Sequence, residues 1–284
     1  MKAVLRAHDR NRAVSDEPFN YLWCGECGSL TIAGIPEDLG RYYPPGPYGL
    51  PSSAELLELL PGEEFKVGLL AARTPSGGRL LEVGPGAGAF AFAAKRSGFD
   101  VLTIEMDAAT CAHMTDVVGA AVVRSSDPAA AITELDEAPD AIAMWHAIEH
   151  IPQPRRLLEA AADALEPGGT LLLSTPNPES IQLRLLRSRW VHLDAPRHLH
   201  LLSLQVVTRW LADFGLRREF LTTSDPTGRE CNQLGWREAV RRRPSAGPPT
   251  RLTSEVGHAL TLMAAPAEER AMNGSTYTAA FRKG

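Results

Sequence analysis

The chain has 284 residues, of which 44% are apolar and 22% are charged. This composition is typical of a globular protein with one large domain, or one domain plus a small one. The formal net charge of −5 would repel a nucleic-acid backbone, so we expect no nucleic-acid partner.

The sequence contains no obvious membrane-spanning or export signal. No apolar stretch approaches the roughly 20 residues that cross a bilayer, and residues 1–14 lack the apolar middle part of a signal peptide. We therefore expect no membrane partner and a cytoplasmic location. In that compartment the four cysteines, Cys24, Cys27, Cys111 and Cys231, are expected to be reduced.

The first 50 residues show no clear periodicity, and we predict an irregular N-terminal extension over 1–50 followed by one domain over 51–284. The extension holds a Cys-x-x-Cys pair, Cys24 and Cys27, whose spacing resembles one knuckle of a zinc ribbon. A closed structural zinc site needs four ligands, and His8 is the only other candidate nearby. An incomplete knuckle is therefore favoured over bound zinc.

From residue 51 onwards, short apolar runs alternate with helical spacing. A helix begins near Ser52 or Ser53, either of which can cap it, with Glu55 in its first turn. Further helices are predicted over 88–98, 154–165 and 203–215, and strands over 79–83, 101–105, 120–123, 141–145, 170–177, 217–223 and 275–281, with an insertion between about 226 and 270. The alternation predicts an α/β fold whose parallel sheet is covered by helices on both faces.

The strongest motif is the glycine-rich turn after the first of these strands. Gly84, Gly86 and Gly88 lie between an apolar strand and a helix, where glycine allows a tight turn and the close approach of a ligand. Gly84, Gly86 and Ala89 also satisfy the looser G-x-G-x-x-A dinucleotide pattern. A nicotinamide-dependent oxidoreductase is therefore an alternative at this point.

Two acidic residues bear on that choice. Glu105 ends the next strand, 21 positions after Gly84, where its carboxylate can accept hydrogen bonds from two ribose hydroxyls. Glu82 precedes the first glycine by two residues. A carboxylate there suits a cofactor that carries an ammonium and a sulfonium, and it would lie unfavourably close to a pyrophosphate.

With Glu82, the three glycines, Glu105 and the later stretch EPGGTLLLSTPN (166–177), the chain resembles the class I S-adenosylmethionine-dependent methyltransferases, in particular a bacterial branch that acts on small molecules. The resemblance implies a Rossmann-like sheet of seven strands in the order 3-2-1-4-5-7-6, with the last strand antiparallel. It also implies S-adenosylmethionine as the cofactor. Some members of the branch carry a zinc ribbon at the N-terminus, of which the cysteine pair would be a remnant.

The resemblance further implies how the cofactor is bound. Gly84, Pro85, Gly86 and Gly88 would form the loop beneath it, and Met106 would pack on the adenine. Ser126 or Asp127 would lie near the adenine amino group, and the backbone around Trp145 and His146 would line the methionine end.

The stretch MWHAIEH (144–150) contains H-x-x-E-H, with His146, Glu149 and His150 at the spacing of one class of zinc peptidase. Two zinc ligands at that spacing need a helix. Pro152 and Pro154 follow at once, and a residue before a proline is biased away from helical conformation, so the peptidase interpretation is disfavoured. Some similar quinone O-methyltransferases hold a divalent cation at this turn, but we favour hydrogen bonds of the Glu149 and His150 side chains with the loop backbone.

A polar segment over 187–203 matches the part of this branch that follows the fifth strand, through Trp190, Asp194, Pro196, Arg197, His198 and Leu199. A loop rich in His and Arg at the carboxyl edge of a sheet is where an acceptor would bind. His198 is the first candidate for a general base, and His146 is the second.

The leading prediction is transfer of a methyl group from S-adenosylmethionine to oxygen or nitrogen of a small molecule, such as a natural product or a sugar-type metabolite. A catalytically silent methyltransferase-like binding or regulatory module is the main alternative. The sequence indicates neither the acceptor nor the oligomeric state.

Overall fold

Seven strands form the central sheet of the protein. The structure is a computed structural model that describes residues 2–43, 49–241, 250–270 and 272–284. The strands are β4 (Arg79–Val83), β5 (Asp100–Glu105), β6 (Ala121–Arg124), β7 (Ala141–Trp145), β8 (Thr170–Pro176), β10 (Leu216–Thr222) and β11 (Thr276–Lys283). Three strands near the N-terminus, β1 (Lys2–His8), β2 (Pro18–Trp23) and β3 (Leu30–Ile32), form a separate sheet with β9 (His200–Leu201), in the order β1-β2-β3-β9.

The strand order of the central sheet confirms the prediction. Its strands lie in the order β6-β5-β4-β7-β8-β11-β10, which is 3-2-1-4-5-7-6 when they are counted along the chain. Strand β11 is antiparallel to both β8 and β10, whereas β4 pairs in parallel with β5 and β7. The strands that follow β4 along the chain lie on one side of it, and those from β7 onwards lie on the other. At such a reversal of the strand order a crevice forms at the carboxyl ends of the strands, here β4 and β7.

Helices cover both faces of this sheet. They are α1 (Ser53–Ala71), α2 (Ala89–Arg96), α3 (Ala108–His113), α4 (Pro128–Thr133), α5 (Pro154–Ala164), α6 (Ile181–Leu186), α7 (Leu204–Asp213), α8 (Pro226–Ala239) and α9 (Arg251–Arg270). The apolar residues of α4, α5 and α7 pack on one face, and those of α1 and α2 pack on the other. The strands are buried on both sides, which accounts for their almost continuous apolar sequences.

Helix α1 begins as predicted and then continues further than its sequence indicates. The Ser52 side chain accepts a hydrogen bond from the Glu55 N–H, and the Glu55 carboxylate accepts one from the Ser52 N–H, which completes a capping box. The helix then passes through Pro61 and Gly62, two residues that usually end a helix. Both are exposed, so the carbonyl left without an N–H donor by the proline can bond to water.

The N-terminal extension is not irregular, and this part of the prediction was wrong. Strands β1, β2 and β3 pair with one another, and β3 pairs with β9 through Leu30 and Leu201. The sheet encloses a small apolar cluster with the segment after β8, in which Tyr21 and Trp190 are the largest buried side chains. The boundary near residue 50 stays a prediction, although strand pairing crosses it.

The buried Arg197 joins the N-terminal extension to the segment after β8. The Arg197 guanidinium donates to both carboxylate oxygens of Asp9, to both of Asp194 and to the Tyr42 carbonyl, at 2.6–3.2 Å. Its five N–H groups are therefore all satisfied. Although burial alone would raise the pKa of Asp194, its hydrogen bond to Arg197 and the charges of His198 and Arg197 hold that pKa well below its ordinary value.

The predicted insertion between about 226 and 270 contains the two helices α8 and α9, and its residues 242–249 lie outside the described ranges. The basic run at 241–243 and the aromatic segment at 41–49 also fall partly outside them. Among the described residues, no helix is long and apolar enough to cross a membrane.

We expect Asp9→Ala to lower the free energy of unfolding by about 3 kcal/mol, because the substitution leaves buried N–H groups of Arg197 without an acceptor. Urea denaturation of the full chain measures this change. Glu255→Ala is the matched control, since it removes the exposed pair between Glu255 and Arg251 on α9 and should have little effect. Equal stability of the Asp9 variant and the wild type would contradict a stabilising role of the Arg197 contacts.

Candidate active site

The glycine-rich turn has the geometry that its sequence predicts. Gly84, Gly86 and Gly88 all have positive φ angles, of 68°, 54° and 80°, which favour glycine. A β-carbon at Gly88 would lie only 2.5 Å from the Met114 Cε, whereas one at Gly86 would meet nothing within 4 Å. A side chain at Gly88 would therefore displace Met114, whereas Gly86 faces open space that a ligand can enter. The Pro85 carbonyl accepts the Gly88 N–H and closes the turn.

Two buried polar atoms lie beside this turn without partners. They are the Glu82 Oε2 at the end of β4 and the Trp145 Nε1 at the end of β7, and neither has a hydrogen bond within the described part of the chain. Burial raises the pKa of Glu82 to about 8, an effect that the charge of Lys66 opposes. An unpartnered carboxyl group and an unpartnered N–H in this crevice are the groups that a polar ligand would satisfy.

Glu105 lies at the carboxyl end of the neighbouring strand β5. Its Oε1 accepts the backbone N–H groups of Met106 and Asp107, at 2.7 and 2.8 Å, and these bonds fix the direction of the carboxylate. The Met106 side chain is 65% exposed, as an adenine-binding surface would be before its ligand arrives. The contacts of Glu105 with ribose and of Met106 with adenine stay predictions.

The loop after β6 gives Asp127 structural partners. The Asp127 carboxylate accepts the Ala130 N–H at the start of α4 and pairs with Arg156 at 2.7 Å. Ser126 beside it is exposed. The predicted contact of either residue with the adenine amino group stays a prediction.

The H-x-x-E-H stretch does not form an α-helix. Residue His146 has a φ of 53°, and only a short 3-10 turn follows, over Ile148–His150. His146 and His150 therefore do not lie one α-helical turn apart, which removes the geometry of the peptidase.

His146 is held between two polar partners. Its Nδ1 lies 3.3 Å from the Glu149 Oε1, and its Nε2 lies 3.4 Å from the Ser174 Oγ. Glu149 is fully buried and also accepts the Thr175 hydroxyl at 2.9 Å. Burial alone would raise the pKa of Glu149, but the hydrogen bond and charge of His146 and the charges of neighbouring histidines lower it to about 2. The carboxylate is therefore ionised at neutral pH.

His150 and His198 also lie close to Glu149. The His198 Nδ1 lies 2.9 Å from the His192 carbonyl, and the His150 Nδ1 lies 3.0 Å from the Arg197 carbonyl and from the Tyr43 hydroxyl. Burial lowers the pKa of His150 to about 4, so this imidazole is neutral at pH 7. The backbone contact of His150 confirms the prediction for that residue, whereas Glu149 bonds to side chains rather than to backbone.

Three atoms able to bind a metal ion converge here, one each from Glu149, His150 and His198, all within 4.8 Å of one another. The trio considered from the sequence contained His146 in place of His198, and the structure corrects it. Because the Nδ1 atoms of both histidines face carbonyl groups, their Nε2 atoms carry lone pairs. A proton or a cation that accepts nitrogen ligands would stabilise this cluster.

The cysteine pair has no such convergence. Among the described residues, Glu149, His150 and His198 form the one group of three or more potential ligands, and Cys24 and Cys27 belong to no such group. His8, the other candidate, lies with its Nδ1 3.0 Å from the Asp16 carbonyl. Zinc binding at this pair stays an untested possibility.

Sequence reasoning missed Glu63 and Lys66 of α1. Lys66 lies 2.9 Å from Glu63, and its Nζ is 5.5 Å from the centroid of the Trp145 ring. It also missed Ser174 and Thr175 of β8, which contact His146 and Glu149. The stretch STPN predicted the end of β8 but not these contacts. The Pro-Gly pair within α1 is a local signal against a helix, so the sequence did not predict that this helix continues.

The sheet is Rossmann-like and has a ligand crevice where its strand order reverses. One acidic residue precedes the glycine turn and another ends the second strand. Together these features are typical of a class I S-adenosylmethionine-dependent methyltransferase. A family model described as methyltransferase domain matches residues 64–219, which is more than half of the chain. The chain belongs to this family, and its cofactor is S-adenosylmethionine.

Known proteins agree with that assignment. A ubiquinone biosynthesis O-methyltransferase from Cereibacter sphaeroides is 28% identical over 187 residues, which cover 63% of this chain and 74% of the relative. A cyclopropane synthase from Mycobacterium tuberculosis has a similar structure, with a TM-score of 0.53, 18% identity and coverage of 77% of this chain and 83% of that one. A SAM-dependent methyltransferase from Archaeoglobus fulgidus gives a TM-score of 0.51 at 17% identity, covering 78% and 94%. At these identities the two structures show the fold alone.

We expect S-adenosylhomocysteine to release a proton from Glu82 when it binds near pH 7. With a pKa of about 8 the Glu82 carboxyl group is mostly neutral at pH 7, and an ammonium group beside it would lower that pKa. Affinity should therefore rise between pH 6 and pH 8, and calorimetry in buffers of different ionisation enthalpy should detect the released proton. Glu82→Gln should remove both effects, and a pH-independent affinity of the wild type would contradict contact between Glu82 and the ligand ammonium.

Proposed function

We propose that this methyltransferase transfers the methyl group to a hydroxyl oxygen of a small molecule, of natural-product or sugar type. The name of the Cereibacter relative, an O-methyltransferase, supports oxygen over nitrogen. A hydroxyl acceptor must lose a proton during transfer, so the site also needs a base.

The observation that carries the proposal is the placement of His146 at the carboxyl end of β7. It directly follows Trp145 at the cofactor crevice, and its side chain is 29% exposed, which allows contact with an acceptor. The ionised Glu149 beside Nδ1 favours the tautomer with hydrogen on that nitrogen. The Nε2 lone pair then faces only the Ser174 hydroxyl, at a long 3.4 Å, and can take the acceptor proton in its place.

His198, the first candidate from the sequence, is more deeply buried. Its side chain is 11% exposed, and its Nε2 lies 3.8 Å from Asp194. The ring packs edge-on against His150, with 4.8 Å between the ring centroids. In this proposal His198 packs against His150 and helps to hold Glu149 in place, and His146 contacts the acceptor.

In this proposal the cofactor and the protein have separate roles. The cofactor supplies a methyl group already activated by its sulfonium, and the protein aligns the acceptor oxygen with that group. Glu149 orients His146, and His146 takes the proton that the acceptor oxygen loses. The predicted cofactor contacts of Gly86, Glu105 and Met106 are part of the same proposal.

The acceptor class can be tested directly. Wild-type protein is incubated with S-adenosylmethionine and a panel of phenols, catechols, sugars and matched amines, and S-adenosylhomocysteine and methylated products are measured by mass spectrometry. We expect methylation of a hydroxyl compound. Methylation confined to amines would overturn the oxygen assignment, and cofactor binding without turnover on any panel member would favour the silent module.

We expect His146→Asn to lower kcat by about 100-fold, in line with the usual contribution of a general base. Asparagine tolerates the positive φ of this position, so affinity for S-adenosylhomocysteine should be retained. The loss should shrink as pH rises, because the acceptor hydroxyl then ionises without help. His198→Asn is the comparison: a large loss there, with full turnover in the His146 variant, would make His198 the base.

A further inference from the structure

A row of polar side chains leads from His146, at the end of β7, to the start of α8. The His146 Nε2 lies 3.4 Å from the Ser174 Oγ. That oxygen lies 3.1 Å from the Thr278 hydroxyl oxygen, which in turn lies 2.9 Å from the Asp225 Oδ2. Ser174 and Thr278 are directly opposite each other on β8 and β11, and Asp225 caps α8. Ser174, Thr278 and Asp225 are all buried.

The direction of the hydrogen bonds along this row is set at its Asp225 end. A carboxylate only accepts hydrogen bonds, and a threonine hydroxyl has a single hydrogen to donate. The Thr278 hydrogen therefore points to the Asp225 Oδ2, because the reverse would place oxygen lone pairs against each other 2.9 Å apart. The hydrogen between Ser174 and Thr278 must then come from Ser174.

This direction leaves the His146 Nε2 without a hydrogen from Ser174. The only hydroxyl hydrogen of Ser174 is engaged with Thr278, so its oxygen presents a lone pair to the imidazole. A lone pair on Nε2 would repel it, which accounts for a separation of 3.4 Å, longer than the usual hydrogen-bond range of about 2.7–3.2 Å. The buried row thus keeps a neighbouring hydroxyl from occupying the nitrogen.

We propose that Asp225 is a positioning residue that acts on His146 through two hydroxyl groups. By accepting the Thr278 hydrogen, it makes Ser174 donate to Thr278, and the Nε2 lone pair is left to the methyl acceptor. The inference rests on the proposed role of His146 as the base. Once Nε2 has taken the acceptor proton, the Ser174 oxygen can accept a hydrogen bond from the new N–H. The same oxygen leaves the neutral imidazole unoccupied and stabilises the protonated one.

Asp225→Asn reverses the row with little change of shape. The Asp225 Oδ1 accepts the Gly228 N–H at the start of α8, and asparagine caps a helix as well as aspartate does. With its oxygen at that N–H, the amide NH2 takes the place of Oδ2 and donates to Thr278. The Thr278 hydroxyl then turns to Ser174, and the Ser174 hydroxyl turns to the His146 Nε2.

Nitrogen NMR of the full chain with isotope-labelled histidine measures this change without an acceptor. At about pH 9, well above the ordinary pKa of histidine, the chemical shift shows whether a ring nitrogen carries hydrogen, and it moves when a bare nitrogen accepts a hydrogen bond. The signals missing from His146→Asn identify those of His146. We expect a bare Nε2 without a hydrogen bond in the wild type, and a bare Nε2 that accepts one in Asp225→Asn.

Turnover reports the consequence for catalysis. With a hydroxyl acceptor from the panel above, Asp225→Asn should lower kcat by about 3- to 10-fold at nearly constant KM, because one ordinary hydrogen bond must break before Nε2 takes the proton. Thr278→Ser keeps the hydroxyl group and should behave as the wild type in both measurements. Thr276→Val is the matched control on the same face of β11, since the buried Thr276 hydroxyl has no hydrogen bond within the described part of the chain.

Two further variants separate this mechanism from a change in packing. In the double variant Ser174→Ala with Asp225→Asn no hydroxyl can donate to Nε2, so the wild-type shift should return. Thr278→Val removes the acceptor of the Ser174 hydrogen and should give the same shift as Asp225→Asn, which decides the question if thermal unfolding shows that Asp225→Asn does not fold.

The inference is overturned by an unchanged Nε2 shift in the folded Asp225 and Thr278→Val variants, or by a change that persists in the double variant. A changed shift together with full turnover would support the hydrogen-bond direction and remove His146 as the base. The failure of the inference and the failure of the proposed base can therefore be told apart.

Discussion

Parallel pairing of β4 with β5 on one side and with β7 on the other is the constraint on which the site depends. Because all three strands run in the same direction, their carboxyl ends meet at one edge. Glu82, Glu105 and Trp145 reach that edge as the last or nearly last residues of their strands. The strand order reverses between β4 and β7, and a ligand crevice lies outside the carboxyl ends of the strands at such a reversal.

The histidine cluster after β7 is built differently, around a buried negative charge. Glu149 lies just after the end of β7, and the side chains of His146, His150, His198 and Thr175 surround its carboxylate. A buried carboxylate is stable only when it is paired or hydrogen-bonded, and each of these contacts also restrains a side chain at the crevice. The Glu149 carboxylate, which needs these partners, thus orients the His146 imidazole that we propose as the base.

The N-terminal sheet extends this arrangement to a distant part of the chain. Strand β3 pairs with β9, and Arg197 joins Asp9 to Asp194 immediately before His198. The extension therefore supports the loop that carries His198, and Tyr43 contacts His150 directly. A segment that shows no periodicity in the sequence thus contacts the histidine cluster through Tyr43 and holds Arg197, the residue before His198, through Asp9.

The sequence by itself determined the elements whose signals are local. Continuous apolar runs predicted the buried strands, and the positions of Gly84, Gly86 and Gly88 predicted a turn that requires positive φ. Pro152 and Pro154 excluded a helix through His146, and the capping residues of α1 were also readable. These inferences succeed because each depends on residues that are neighbours along the chain.

The tertiary structure alone decided which distant residues meet. Strands β1 to β3 are stabilised by pairing in a sheet that β9 completes and by a shared apolar cluster, neither of which leaves a local pattern. His198 joins Glu149 and His150 in the group of potential metal ligands because the segment after β8 returns to the turn after β7, where the Leu199 N–H donates to the Glu149 carbonyl. Lys66 reaches Trp145 because packing of α1 on the sheet outweighs the helix-breaking tendency of Pro61 and Gly62. Convergence of this kind depends on the path of the whole chain, which no spacing within one segment can specify.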